Sequence, residues 1–302
     1  MKKEDLIKHA KKAGYEVKYI EALTQDASYR QYFRIYTDKS VDSLYYDDSS
    51  NPTIFILCYL DPKLGSHEKF VEINKSISSG FYKPPKILFY DKHTGITIQE
   101  DVGDKCLYDL YELYGPNSKN YFRSSSYESI GMALDLLKDL HETKIPNLKK
   151  IKKNELINQM ETFESIYLSS YLCISPSEIA VQRKWLRKLW DETIEKLYSQ
   201  PWVNCHTDFE ARNIHTGLDF DWDRLYLIDY QDMCIGPIGI DLAALIFDHY
   251  CYHDFDVEIL KNEIFTTFEL SSVHDFSSDR ANTPKDTKLI SNQIFEYARW
   301  GA

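Results

Sequence analysis

The sequence predicts an α+β protein in two lobes. Short β-type segments separated by turns fill roughly the first hundred residues, and the rest reads mainly as amphipathic helix. The length of 302 residues suits two domains or one bilobal fold at about 150 residues per domain. The change in character after Glu100 to Asp104 sets the expected lobes at residues 1–102 and 103–302.

The β-rich part begins with residues 32–36 (YFRIY), rich in β-branched and aromatic side chains. Residues 54–60 (IFILCYL) form a continuous apolar run suited to a central strand buried on both faces. Between them, residues 37–52 are Asp-, Ser- and Tyr-rich and read as an exposed connection. Pro62 and Gly65 end the apolar run. Residues 66–79 place Phe70, Ile73 and Ile77 at helical spacing, which predicts a helix. Pro84 and Pro85 then break the chain, and residues 87–90 and 95–100 read as a hairpin around residues 91–94.

Beyond Gly103, residues 127–141 carry Ile130, Leu134, Leu137 and Leu140 near the 3.6-residue period, an amphipathic helix. Residues 155–171 and 178–198 predict two more, and residues 115–126 a polar loop. Residues 144–153 hold five lysines, read as a solvated face, with a partner patch as the alternative.

Composition narrows the class. An apolar fraction of 43% with 27% charged residues excludes collagen-like, low-complexity and disordered chains. A net charge of −11 argues against nucleic-acid and anionic-membrane binding, because phosphate contacts need clustered Lys and Arg. The N-terminus lacks the apolar core of a secretory signal. The longest apolar run has seven residues against the roughly 20 that span a bilayer, so no membrane insertion is expected. The six cysteines form no CxxC pair and suit free thiols of a reducing compartment, hence a cytoplasmic protein.

Chemistry concentrates in residues 202–250. Asp208 is followed five positions later by Asn213, and Asp229 ends the apolar run of residues 225–228. Residues 214–216 are expected to pair with that run, which would bring Asn213 and Asp229 to the same end of a hairpin. A carboxylate and an amide oxygen there are hard donors suited to Mg²⁺, which takes few protein ligands and keeps phosphate oxygens. Asp208, on the preceding loop, is placed to accept a hydroxyl proton. A loop Asp, an Asn five residues on and a strand-end Asp are the parts used in kinase phosphoryl transfer. The spacing alone is common. Together with His206 and the apolar strand ending in Asp229, it is specific. The competing readings are ordinary capping acids around a buried hairpin, and a hydrolytic metal site of His206, Asp208 and Asp229, which lacks further ligands at metal spacing.

These residues, HTDFEARN at 206–213, LIDYQD at 227–232, Gly236-Pro237 and Asp241, resemble the aminoglycoside phosphotransferase and choline kinase superfamily. Within it, residues 26–34 (DASYRQYFR), 70–73 (FVEI) and 228–238 resemble bacterial anomeric kinases acting on N-acetylmuramate and N-acetylglucosamine in cell-wall recycling. The resemblance implies a bilobal protein-kinase-like fold with an antiparallel N-lobe sheet that binds nucleotide and a mainly helical C-lobe. It implies ATP as phosphoryl donor, Mg²⁺, and a small hydroxyl substrate, most specifically an amino sugar. Aminoglycoside or choline kinase, and a non-catalytic pseudokinase that binds nucleotide or a partner, are the alternatives.

By position, the resemblance makes Asp208 the catalytic base, Asn213 and Asp229 metal ligands, His206 a loop anchor and Asp241 the buried acid that braces the loop. Residues 99–103 match the hinge, where Glu100 and Val102 hold adenine. Ser28, in the first hairpin turn, is a candidate for the phosphates. Glu210, Arg212, Gln231 and Asp232 are candidates for the acceptor, Arg212 through a bidentate grip on a carboxylate. Two features depart from the pattern. Cys58 stands where a central-strand Lys, paired with a helix acid such as Glu72, is expected, so Arg30 or Arg34 would supply the cation. The chain also ends where the superfamily usually continues in helix.

Overall fold

The computed structural model describes residues 1–23, 29–37, 53–77, 83–114, 123–217 and 225–247, with the side chains of 111–129 left aside. The chain divides into two compact units: Met1–Lys105 with His215–Gln231, and Cys106–Ile214 with Asp232–Ala302.

The first unit opens with helix α1 (Lys3–Lys12), followed by strands β1 (Val17–Ala22), β2 (Gln31–Thr37) and β3 (Thr53–Tyr59). Helix α2 (Glu68–Ile77) and the hairpin of β4 (Ile87–Asp91) and β5 (Ile96–Glu100) complete it. The strands form one antiparallel sheet in the order β1-β2-β3-β5-β4. The apolar run therefore lies at the centre, as its lack of alternation requires. Because successive side chains alternate across a strand, Phe33, Ile35, Phe55, Leu57, Ile96 and Ile98 share one face. That face packs with Leu6 and Ala10 of α1 into a core. The sequence reading did not assign α1, although Leu6, Ala10 and Ala13 recur at helical spacing. The β4–β5 turn needs glycine: Gly95 has φ +67°, and a Cβ there would sit 1.9 Å from the Leu60 carbonyl oxygen.

The opposite face carries Tyr32, Arg34, Ile56, Cys58, Thr97 and Gln99 by the same alternation, with Cys58 opposite Tyr32 and Thr97 in the register. Helix α2 buries Phe70, Val71, Ile73, Asn74 and Ile77, a stripe at i, i+3, i+4 and i+7 with one polar member.

The second unit is mainly helical. Helix α3 (Leu107–Tyr114) precedes α4 (Arg123–Glu142), which buries Ile130, Ala133, Leu134, Leu137 and Leu140. Residues 123–126, expected to end a polar loop, instead form the first turn of α4; serine is a weak helix former but does not forbid one. Helix α5 (Lys153–Thr162) continues as a π-helix over Phe163–Tyr171. There the Ser170 hydroxyl donates to the Ser165 carbonyl five residues back. Helix α6 (Pro176–Tyr198) starts with Pro176 in its first turn and a reciprocal Ser175–Glu178 cap.

Strand β6 (Trp202–Cys205) pairs antiparallel with β9 (Cys234–Pro237), while β7 (Ile214–His215) and β8 (Tyr226–Leu227) form a second short ribbon, the expected hairpin. Helix α7 (Gly239–Ile246) follows. The Asn204 amide donates to the carbonyls of Leu140 and Thr143, closing the C-terminus of α4 beneath β6. The expected connection at residues 37–52 lies, after Thr37, outside the described residues, as does the C-terminal segment after Phe247.

Candidate active site

In the second unit, β6 delivers the chain into a loop that begins at His206. His206 is fully buried, and Thr207 adopts φ +75°, a sterically costly conformation for a β-branched residue. Asp241, in the first turn of α7 and fully buried, holds this bend. Its carboxylate accepts the backbone N–H of His206 at 2.7 Å and of Thr207 at 2.8 Å. Burial raises the Asp241 pKa to about 7, against the pull of the two amide donors. Phe209, Ala211 and Ile214 are fully buried and anchor the loop from below.

Between these anchors stand the two residues expected to do chemistry. A 3₁₀ turn over Ala211–Asn213 returns Asn213 to Asp208. The Asn213 amide donates to the Asp208 backbone carbonyl at 2.9 Å and to its carboxylate at 3.2 Å. Glu210 is half-buried on this loop, while Arg212 and Asp232 are exposed.

In the first unit, Asp229 follows β8 with φ +61°. The buried Gln231 donates to Asp229 Oδ1 at 2.6 Å. Gln231, read from sequence as an acceptor contact, thus also orients the Asp229 carboxylate. Tyr230 between them is fully buried and stacks on Phe70 of α2, centroids 4.8 Å apart and planes 5° apart. Its hydroxyl accepts from the Asn74 amide at 2.7 Å.

The residues expected at the nucleotide also lie in this unit, except Ser28, which falls outside the described residues. Glu100 ends β5 and stitches it to the start of β4: its N–H donates to the Lys86 carbonyl, and its carboxylate accepts the Lys86 N–H. Val102 is buried. Gly103, at φ +79°, donates to Asp101, and its carbonyl meets His215 Nδ1 at 3.0 Å.

The two arginines differ. Arg34 is engaged by Asp101 at 2.6 Å and Asp104 at 2.6 Å, and its hydrogen bond to Asp104 is the main cause of a raised guanidinium pKa. Arg30 lies with its guanidinium 6.0 Å from the Phe70 ring centroid, and its charge acts on Cys58, Tyr32, His67 and Tyr230. Burial pushes the Cys58 thiol up to about 12, so it stays neutral and can take over none of a lysine's charge. Glu72 is exposed on α2, and the buried polar residue of that helix is Asn74. The sequence reading missed Asn74, although a lone amide within an apolar helical stripe marks a position with a partner to satisfy.

By donor chemistry alone, the Asp229 carboxylate of the first unit and the Asn213 amide oxygen of the second are each hard oxygens of the kind Mg²⁺ takes. Among the described residues, no group of three or more His, Cys, Asp or Glu could hold a metal. An all-protein cage of zinc type is therefore not built from them.

Residues 122–267 match the phosphotransferase enzyme family. The chain is 24% identical over 230 residues to an N-acetylmuramate/N-acetylglucosamine kinase of Neisseria meningitidis serogroup B, a match that covers 74% of this chain and 60% of that protein. It therefore spans less than two thirds of that relative's length. Among solved structures, the ADP-bound aminoglycoside phosphotransferase APH(2″)-Ib superposes with a TM-score of 0.56 at 14% identity, over 99% of this chain and 98% of that one. The gentamicin complex of APH(2″)-IIa gives 0.55 at 14% identity, over 98% and 86%. The match of residues 122–267 to the phosphotransferase enzyme family thus falls within a chain that has the kinase-like α+β fold of these structures.

Proposed function

We propose that this protein is an ATP- and Mg²⁺-dependent kinase that phosphorylates a hydroxyl of an amino sugar of the N-acetylmuramate or N-acetylglucosamine type. The observation that carries the reading is the Asn213–Asp208 pair on a loop held by Asp241. The sugar class is supported by the Neisseria relative.

In this reading Asp208 orients the acceptor hydroxyl and takes its proton as the oxygen attacks the γ-phosphorus, and ADP leaves. Such catalysis is mainly positioning and charge stabilisation. Asn213 and Asp229 would hold Mg²⁺, which supplies charge neutralisation on the phosphates. Gln231 keeps Asp229 in its orientation. Arg30, whose charge acts on Tyr32 and Cys58 of the sheet and which lies against Phe70, is the cation proposed for the nucleotide phosphates. Glu100 and Val102 border adenine, and Glu210, Arg212 and Asp232 reach for the acceptor. A cytoplasmic setting is consistent with the free thiols of Cys58, Cys106, Cys173, Cys205 and Cys234. No helix among the described residues is long and apolar enough to cross a membrane.

An ADP-release assay over amino sugars, choline and aminoglycosides, run on the wild type and Asp208→Ala, tests this. Turnover with an N-acetylated sugar, lost in the variant while ATP binding survives, is the expected result. Turnover confined to choline or aminoglycosides would overturn the sugar class. Equal ADP release by both proteins would overturn the role of Asp208.

A further inference from the structure

We infer that Asn74 and Tyr230 form a latch through which helix α2 sets the position of Asp229, so that both are positioning residues for the nucleotide's metal. The inference rests on the proposed role of Asp229.

Every part of the latch lies in the first unit. Asn74 is buried, and its amide nitrogen has two acceptors: the Pro85 carbonyl at 2.9 Å and the Tyr230 hydroxyl at 2.7 Å. The Tyr230 ring lies flat on Phe70, one helical turn before Asn74 on the same face of α2. One helix face thus fixes Tyr230 both by its ring plane and by its hydroxyl. Neither contact can slide independently, because a stacked ring leaves the hydroxyl one direction in which to meet its donor.

Tyr230 is the residue directly after Asp229, whose left-handed backbone is a conformation that persists only when its surroundings hold it. Gln231, on the far side of Tyr230, bonds the Asp229 carboxylate. Asp229 is therefore held by its side chain through Gln231 and by its backbone through Tyr230, and the second hold originates in α2. Arg30 sits over the same Phe70 ring. A single layer, Arg30–Phe70–Tyr230, then joins the cation proposed for the phosphates to the carboxylate proposed for the metal. Glu72 faces solvent on α2 and has no part in this layer, so here the helix acts through an amide and an aromatic ring rather than an acid.

The test is the affinity for a non-hydrolysable ATP analogue, measured calorimetrically with and without Mg²⁺, in full-length wild type, Tyr230→Phe, Asn74→Leu and the double variant. Tyr230→Phe keeps the stacked ring and removes only the hydroxyl, so it serves even where Asn74→Leu folds poorly. Melting temperature is recorded beside each affinity. The latch predicts that the Mg²⁺-dependent tightening falls by about tenfold in each single variant, as for residues that support metal ligands. It also predicts that the Mg²⁺-free affinity holds, and that the double variant is no worse than either single one. Variants with a lower melting temperature and the wild-type Mg²⁺ effect would make Asn74 and Tyr230 packing residues only, which overturns the latch and leaves the kinase reading intact. A wild type whose affinity ignores Mg²⁺ would overturn that reading and the latch with it.

Discussion

Asn213 reaches Asp208 twice, at its backbone carbonyl and at its carboxylate, so the two residues form one unit of the loop. Asn213→Leu, close in size, removes both hydrogen bonds and the amide oxygen. The expected outcome is a loss of kcat by about 100-fold or more, the scale of a positioned acid–base group, with a melting temperature within a few degrees of the wild type. Asn213→Asp keeps an oxygen donor but sets a second carboxylate beside Asp208. Its kcat should fall as well, while Mg²⁺-dependent nucleotide binding persists. Steady-state kinetics with nucleotide calorimetry separates the two; an Asn213→Leu enzyme of wild-type kcat would sink the assignment.

Arg34 is held by one buried and one exposed carboxylate, and the two should not count alike. The Asp101 side chain is 4% exposed and that of Asp104 75%. Arg34→Met leaves Asp101 buried without its cation, and a loss of about 3–5 kcal/mol is expected. Asp104→Ala removes a solvated partner and should cost under about 1 kcal/mol. Urea unfolding of both variants checks the order, and equal losses would contradict it.

His67 gives the fold an acid-sensitive point. It is buried, and burial together with the charge of Arg30 lowers its pKa from 6.5 to about 4. In the folded state it stays neutral, while the unfolded chain takes up a proton below pH 6.5. Its contribution is therefore fully present above pH 6.5 and is lost as pH falls towards 4. Asp241, raised to about 7, works in the opposite sense over this range. A comparison at one site cancels that effect. Between pH 6.5 and 4, His67→Gln should lose stability less steeply than the wild type, by up to about 1.4 kcal/mol per pH unit. Parallel stability curves would show that His67 is not held neutral.

What could be read from the chain and what could not divide along physical lines. β3 was legible because burial on both faces leaves an unbroken apolar run. The Asp208–Asn213 pair was legible because a single short turn fixes both ends. The left-handed backbone of Thr207 was not, since its N–H bonds to Asp241, 34 residues away. The Arg34 network was equally hidden: its partners lie 67 and 70 residues on, and no local pattern ties a strand arginine to two later acids. Glu72 was read as the functional residue of α2 because acids are the usual helix partners of cations; that Asn74 is the buried polar residue of the same helix depends on tertiary packing, which local sequence does not display. Ser28 lies outside the described residues, and Cys58 was recognised as a departure although the reach of Arg30 to it was not visible in sequence.

The Asn74–Tyr230 bond joins positions 156 residues apart. In a chain synthesised from its N-terminus, the five strands and α2 emerge long before Tyr230 exists to cover Phe70 and to satisfy Asn74. Until then the nascent first unit presents an unshielded aromatic ring and an amide that only water can serve. Loop closure over such a separation is entropically slow to be repaid. Its final step therefore waits for residues 215–231, after most of the helical unit has left the ribosome. A chain released before that point would display a nearly complete sheet with a sticky flank, the kind of intermediate that chaperones retain and that aggregates without them.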